Sequence, residues 1–165
     1  METNALKVTT KTLMRFLRAA EAYVNLNPKE RSKVTYALNK LTKRLETIAD
    51  RYRKSRADKM EDIQAELCSK DEKGNFLETH VEAAGQLFFR KKFTKDGDSA
   101  SKKKIDEAYE KIDSELVEFE PHIVDVPSDI NISFYNEFKG FIFKEMSEGE
   151  EEKWYLAQQE EEKKE

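Results

Sequence analysis

The chain has 165 residues, of which 39% are charged and 38% are hydrophobic, and its formal net charge is -4. This composition predicts one folded domain that is unusually rich in charge but keeps enough apolar residues to form a core. A single cysteine excludes a framework of internal disulfides, and no apolar run approaches the roughly 20 residues that span a bilayer. We therefore expect a cytoplasmic protein with no membrane attachment.

The charge is distributed unevenly along the chain. Residues 1–59 contain 15 Lys or Arg and 6 Asp or Glu, whereas residues 60–165 contain 15 and 28. One interpretation is that the basic part contacts nucleic acid. The other is that these residues only coat an exposed helix, and we favour it because they are spread around the predicted helix.

The first predicted element is a short helix that Thr9 or Thr10 can cap and that ends near Asn25. Its apolar residues recur at helical spacing and define one buried face. These residues are Leu13, Phe16, Leu17, Ala20 and Val24.

The second element is a long helix from Asn27 to about Cys68, and the rest of the chain is expected to pack around it. Asn27 can cap its start, Pro28 suits the first helical position, and Glu30 can complete a capping box. Its apolar residues alternate in steps of four and three, which places a narrow stripe along one side. The stripe contains Val34, Leu38, Leu41, Leu45, Ile48 and Tyr52.

A turn at 69–75 and two short extended segments, 75–81 and 86–94, follow the long helix. A third helix, capped by Ser99 or Ser101, then carries an apolar face that should cover the far half of the long helix. That face contains Ile105, Ala108, Tyr109, Ile112 and Leu116.

The last predicted helix follows a cap at Ser128, Asp129 or Asn131 and is strongly aromatic. Its face is either core or a docking surface for a protein partner, and the sequence leaves these two interpretations open. An acidic segment at 148–165 follows and carries a tryptophan that can also dock. The predicted protein-binding residues are Phe134, Tyr135, Phe138, Phe141, Ile142 and Trp154.

The residues that would contact nucleic acid, if the basic part does so, lie on the long helix between 29 and 59. They are Lys40, Lys43, Arg44, Arg51 and Arg56.

The sequence contains no recognisable catalytic pattern. Its two histidines, His80 and His122, lie in separate segments, and neither has a metal-ligand partner at a suitable spacing. No glycine-rich phosphate loop or nucleophile elbow is present in the sequence. We therefore expect a non-enzymatic protein with no cofactor and no metal site.

Three segments carry a resemblance to a known family. They are KERSKV at 29–34, KDEKGN at 70–75 and LVEFEPHI at 116–123, set within the order of helices given above. In these segments the chain resembles a family of small helical proteins of unknown function, encoded among the late genes of tailed phages and prophages. The resemblance implies a phage particle or its assembly as the setting, and it brings no catalytic residues.

The predicted fold is mainly α with a small β element, arranged as a long antiparallel helical hairpin or bundle with a short hairpin insertion. Residues 1–146 are expected to form one elongated domain and 147–165 an acidic flexible tail. The predicted function is that of a structural or assembly protein, with a nucleic-acid-binding accessory protein as the alternative. Its partner would be a second copy of the chain or a virion component, in the host cytoplasm or the virion.

Overall fold

The computed structural model of the protein describes residues 5–94 and 97–163 and is mainly helical, which confirms the predicted fold class. Its β structure is small and consists of two two-stranded antiparallel sheets in the described residues. In chain order the elements are β1 (Leu6–Thr9), α1 (Thr10–Leu26), α2 (Lys33–Leu67), β2 (Glu78–Ala83), β3 (Gln86–Lys91), α3 (Gly97–Asp113), β4 (Leu116–Phe119), α4 (Ile132–Phe138) and α5 (Glu148–Glu162).

The chain divides into two compact units, where the sequence predicts one domain over 1–146. The first unit is formed by Met1–Ala49 with Leu116–Glu165, and the second by Asp50–Glu115. The long helix α2 contributes its first half to one unit and its second half to the other. Because α2 has 35 residues and is about 52 Å long, its apolar stripe is too long for one small core to cover.

Helix α1 begins as predicted. The Thr9 side chain caps it by accepting a hydrogen bond from the backbone N–H of Thr12 at 3.2 Å. The strand β1 before it pairs with β4, with Leu6 opposite Phe119, and this pairing was not predicted. In β4 the buried side chains are Val117 and Phe119, whereas Leu116 is 64% exposed and does not belong to α3. The alternation of strand side chains therefore replaces the helical spacing predicted for Leu116.

Helix α2 begins at Lys33, six residues later than predicted. Asn27 caps the end of α1 instead, because its backbone N–H donates to the carbonyl oxygen of Tyr23 at 3.1 Å. The start of α2 is capped by Ser32, whose hydroxyl accepts from the backbone N–H of Thr35 at 3.2 Å while the Thr35 hydroxyl accepts from that of Ser32 at 3.1 Å. This reciprocal pair is a capping box, and it overrides the signal at Asn27.

Helix α4 is shorter than predicted. The Asn131 side chain caps it by accepting from the backbone N–H of Ser133 at 2.8 Å, and the helix ends at Phe138. Gly140 then takes a φ of +82°, which turns the chain out of the helix. Residues 141–143 lie along 122–124 instead. The backbone N–H groups of His122 and Val124 donate to the backbone carbonyl oxygens of Phe141 and Ile142.

In the second unit, α3 runs antiparallel to the second half of α2. The Tyr52 hydroxyl donates to the Asp113 carboxylate at 2.7 Å near one end, and the Lys104 ammonium pairs with Glu66 near the other. Helix α3 begins at Gly97, earlier than the predicted caps at Ser99 or Ser101.

The strands β2 and β3 form a hairpin from Glu78 opposite Lys91 to Ala83 opposite Gln86, close to the predicted extended segments. Its two-residue turn is Ala84 and Gly85, with φ values of 51° and 74°. At the hairpin base, the backbone N–H of Ser69 donates to the backbone carbonyl oxygen of Lys92 at 2.8 Å. This bond attaches the hairpin to the end of α2.

Candidate protein-binding and nucleic-acid-binding surfaces

Four of the six predicted protein-binding residues are buried inside the first unit. Tyr135, Phe138 and Ile142 have no exposed surface, and Phe141 is 4% exposed. The sequence left open whether this face is core or a docking surface. Its contacts in the structure are those of a core. These four side chains present almost no surface to a partner while the unit is folded.

Aromatic contacts explain why these residues are buried. The ring of Phe138 lies edge-on to Phe16 at 5.9 Å and to Tyr23 at 5.7 Å, and both partners are on α1. Phe134 is half-buried and also lies edge-on to Tyr23, at 5.1 Å. Helix α1 therefore occupies the face that the sequence offered to a partner.

Trp154 contacts the same core from α5, within the segment that was predicted as a flexible tail. Its ring lies 5.1 Å from that of Tyr135. The Tyr135 hydroxyl donates to the Glu151 carboxylate at 3.3 Å and accepts from the backbone N–H of Met146. Glu151 also pairs with Lys139 at 3.5 Å. These contacts attach α5 to the first unit.

The exposed apolar side chains of the second unit concentrate on the β2–β3 hairpin. Leu87, Phe88 and Phe89 are consecutive in β3 and are 61%, 50% and 65% exposed. Because neighbouring strand residues point to opposite faces, the hairpin presents apolar side chains on both faces. The sequence did not indicate these residues as a site, because it predicted 86–94 only as a short extended segment.

The two strands of this hairpin carry opposite charges. Glu78 and Glu82 lie on β2, which has no lysine or arginine, and Arg90 and Lys91 lie on β3, which has no aspartate or glutamate. Neither outer edge has a strand neighbour among the described residues. The hairpin therefore has one acidic and one basic free edge, in addition to its exposed apolar side chains.

The predicted nucleic-acid residues lie along α2 and divide between the two units. Lys43, Arg44 and Arg51 are exposed, and Lys40 is half-buried. Arg56 is engaged within the second unit, because its guanidinium lies 3.9 Å from the Tyr109 ring centroid and donates to the Tyr52 hydroxyl at 2.6 Å. Arg56 is therefore tied into the packing of α2 against α3.

Cys68 and His80 are side chain types that can take part in catalysis or metal binding, and both are engaged in packing here. Burial raises the pKa of the Cys68 thiol, so this side chain is not an activated nucleophile. The His80 ring lies 4.4 Å from that of Phe89 in the hairpin. No cluster of three metal-ligating side chains occurs within 5–94 and 97–163.

A search for a membrane span in the described residues finds no helix that is both long and apolar enough. Comparison with protein-family models, with curated proteins and with solved structures gives no match for this chain. The resemblance to a phage family therefore stays a prediction from the sequence.

Proposed function

We propose that the protein is a non-enzymatic structural or assembly protein that associates with other copies of itself through the β2–β3 hairpin. The observation that carries this proposal is the exposure of Leu87, Phe88 and Phe89, each at least half accessible to solvent. Consecutive exposed aromatic residues on a strand with a free edge are typical of a surface that pairs with another chain. A phage particle or its assembly remains the setting that we propose, on the sequence resemblance alone.

The charges of the two strands favour a second copy as the partner. Pairing the acidic β2 edge of one copy with the basic β3 edge of the next brings opposite charges together, whereas β2 on β2 or β3 on β3 brings like charges together. Such head-to-tail contact uses two different surfaces on each copy. It therefore produces a ring or an open chain of subunits.

Size-exclusion chromatography with light scattering tests this proposal on the full chain. We expect the wild type to associate as its concentration rises, and the double variant Leu87→Ser with Phe89→Ser to remain monomeric. The matched control is Leu26→Ser, which removes a side chain that is 71% exposed in the first unit and should leave association unchanged. A wild type that is monomeric at every concentration would contradict the proposal.

A charge variant tests the head-to-tail arrangement. Glu82→Lys places a cation on the acidic strand, opposite Leu87 within its own hairpin, so it adds no like-charge pair there. We expect it to weaken association because the next copy's β3 then meets a cation. Unchanged association of Glu82→Lys would contradict the pairing of β2 with β3.

A further inference from the structure

A second surface lies on the first unit and is formed by the solvent side of α2 at residues 33–44. At about 100° of rotation per residue, the cations Lys33, Lys40, Lys43 and Arg44 fall within an arc of about 100°. Val34, Leu38, Leu41 and Leu45 of the apolar stripe lie outside this arc and are buried. The basic residues of 29–59 are spread around the helix when taken together, but these four share one side.

These positive charges are not neutralised by neighbouring carboxylates. Among the residues that the structure describes, none of the four cations has a carboxylate oxygen within 4.0 Å. The only acidic residue in the 33–49 part of α2 is Glu46, and helical rotation places it outside the arc. The surface is therefore a region of positive potential.

Two aromatic rings lie among the cations. Tyr36 is on the same side of α2 and is 61% exposed. The His122 ring lies edge-on to the Tyr36 ring, with 5.9 Å between their centroids. The backbone N–H of His122 donates to the backbone carbonyl oxygen of Phe141 at 3.0 Å, which fixes the position of His122. Burial lowers the pKa of His122, and the nearby cations Lys40 and Arg44 lower it further. Rings and cations thus form one continuous surface, which we call the basic aromatic face: Lys33, Tyr36, Lys40, Lys43, Arg44 and His122.

We propose that the basic aromatic face binds single-stranded nucleic acid. Its cations would contact phosphates, and the exposed face of Tyr36 would stack on an unpaired base, with His122 beside it. Exposed aromatic rings interleaved with cations are the combination by which single strands are held without sequence preference. In a duplex the bases are already stacked, so Tyr36 would add nothing.

An anionic membrane fits this face less well. Helices that lie on membranes insert an apolar side beneath their basic side. The apolar side of α2 is buried in the first unit, where Val34, Leu38 and Leu41 are at most 2% exposed. Charge complementarity and the exposed ring therefore favour nucleic acid over lipid.

Fluorescence anisotropy of a labelled oligothymidylate of about 15 nucleotides tests the proposal on the full chain. With four phosphate contacts on a single strand, the logarithm of the binding constant should fall with the logarithm of salt at a slope of about -3. Lys40→Glu with Arg44→Glu should reduce that slope by about 1.4, because each lost contact removes about 0.7. Tyr36→Ser should weaken binding several-fold while leaving the slope unchanged.

Lys102→Glu with Lys103→Glu is the matched control, because it makes the same charge change at two exposed residues of α3. This control should bind like the wild type, and far-ultraviolet circular dichroism should show that each variant keeps its helix content. Three results would each overturn the proposal: no binding at low salt, equal losses in the two double variants, or binding to anionic vesicles in the absence of binding to the oligonucleotide. Tighter binding to a duplex, indifferent to Tyr36→Ser, would also overturn it. The face lies in the first unit, so this test does not depend on the hairpin.

Discussion

The ring of Phe16 stacks on the ring of Phe141, with 4.2 Å between their centroids and 3° between their planes. Phe141 also stacks on Phe119 of β4, at 4.8 Å. The three rings join α1, the segment after α4, and β4. This stack makes the first unit a single core, although its two chain segments are far apart in sequence.

Phe141→Ala should lower the free energy of unfolding by about 3–5 kcal/mol, because it removes a ring that is only 4% exposed and leaves a cavity between two others. Urea denaturation followed by circular dichroism measures this change. Leu26→Ala, at a residue that is 71% exposed, should cost less than about 0.5 kcal/mol. Similar costs for the two variants would show that the ring stack does not stabilise the unit.

Phe138→Asp should unfold the first unit and lower the helix content. Phe138 has no exposed surface, so the variant would bury a carboxylate among aromatic rings. Asn136→Asp places the same charge at an exposed residue of α4 and should keep the wild-type circular dichroism spectrum. Intact helix content in Phe138→Asp would instead support the predicted docking face.

Ala84→Asn should stabilise the hairpin by about 1 kcal/mol. Ala84 has a φ of 51°, a left-handed conformation that costs an alanine about 1–2 kcal/mol and that asparagine tolerates better. Asn followed by Gly is also the preferred pair for a two-residue turn of this kind. Slower amide hydrogen exchange in β2 and β3 would report the gain, which Ala83→Asn, one residue earlier and inside β2, should not produce.

Tyr23 should make the first unit less stable at alkaline pH. Burial, and the hydrogen bond that its hydroxyl donates to Glu30, raise the pKa of Tyr23 from 10.0 to about 12. Between these values the unfolded chain loses the phenolic proton while the folded chain retains it, so stability falls as pH rises through this window. Urea denaturation across the window should show a smaller fall for Tyr23→Phe, and an equal fall would contradict the account.

The sequence predicts the boundaries of helices and strands best where only one nearby residue can supply the boundary signal. Thr9 caps α1 as expected, and the hairpin strands lie close to the extended segments predicted at 75–81 and 86–94. The start of α2 was misplaced because Asn27 and Ser32 are both good cap residues five positions apart. Which of them is used depends on Thr35, whose hydroxyl completes the capping box with Ser32.

The candidate surfaces could be predicted only in part, because exposure depends on contacts between distant segments. An aromatic helical face looks the same in a sequence whether or not α1 covers it. The sequence therefore could not distinguish a docking role from a core role for Phe138. Leu87 and Phe89 gave no signal because nothing in the sequence indicates that the hairpin is left uncovered. The proximity of His122 to Tyr36 links residues 86 positions apart, which no spacing rule anticipates.

We propose that copies of the chain associate through the β2–β3 hairpin, and hydrogen exchange measured by mass spectrometry at low and high protein concentration tests this association most directly. We expect the amides of 78–91 to exchange more slowly at high concentration, whereas those of α5 (Glu148–Glu162) should exchange at an unchanged rate. Exchange that is independent of concentration throughout the chain, or protection confined to segments outside the hairpin, would contradict it.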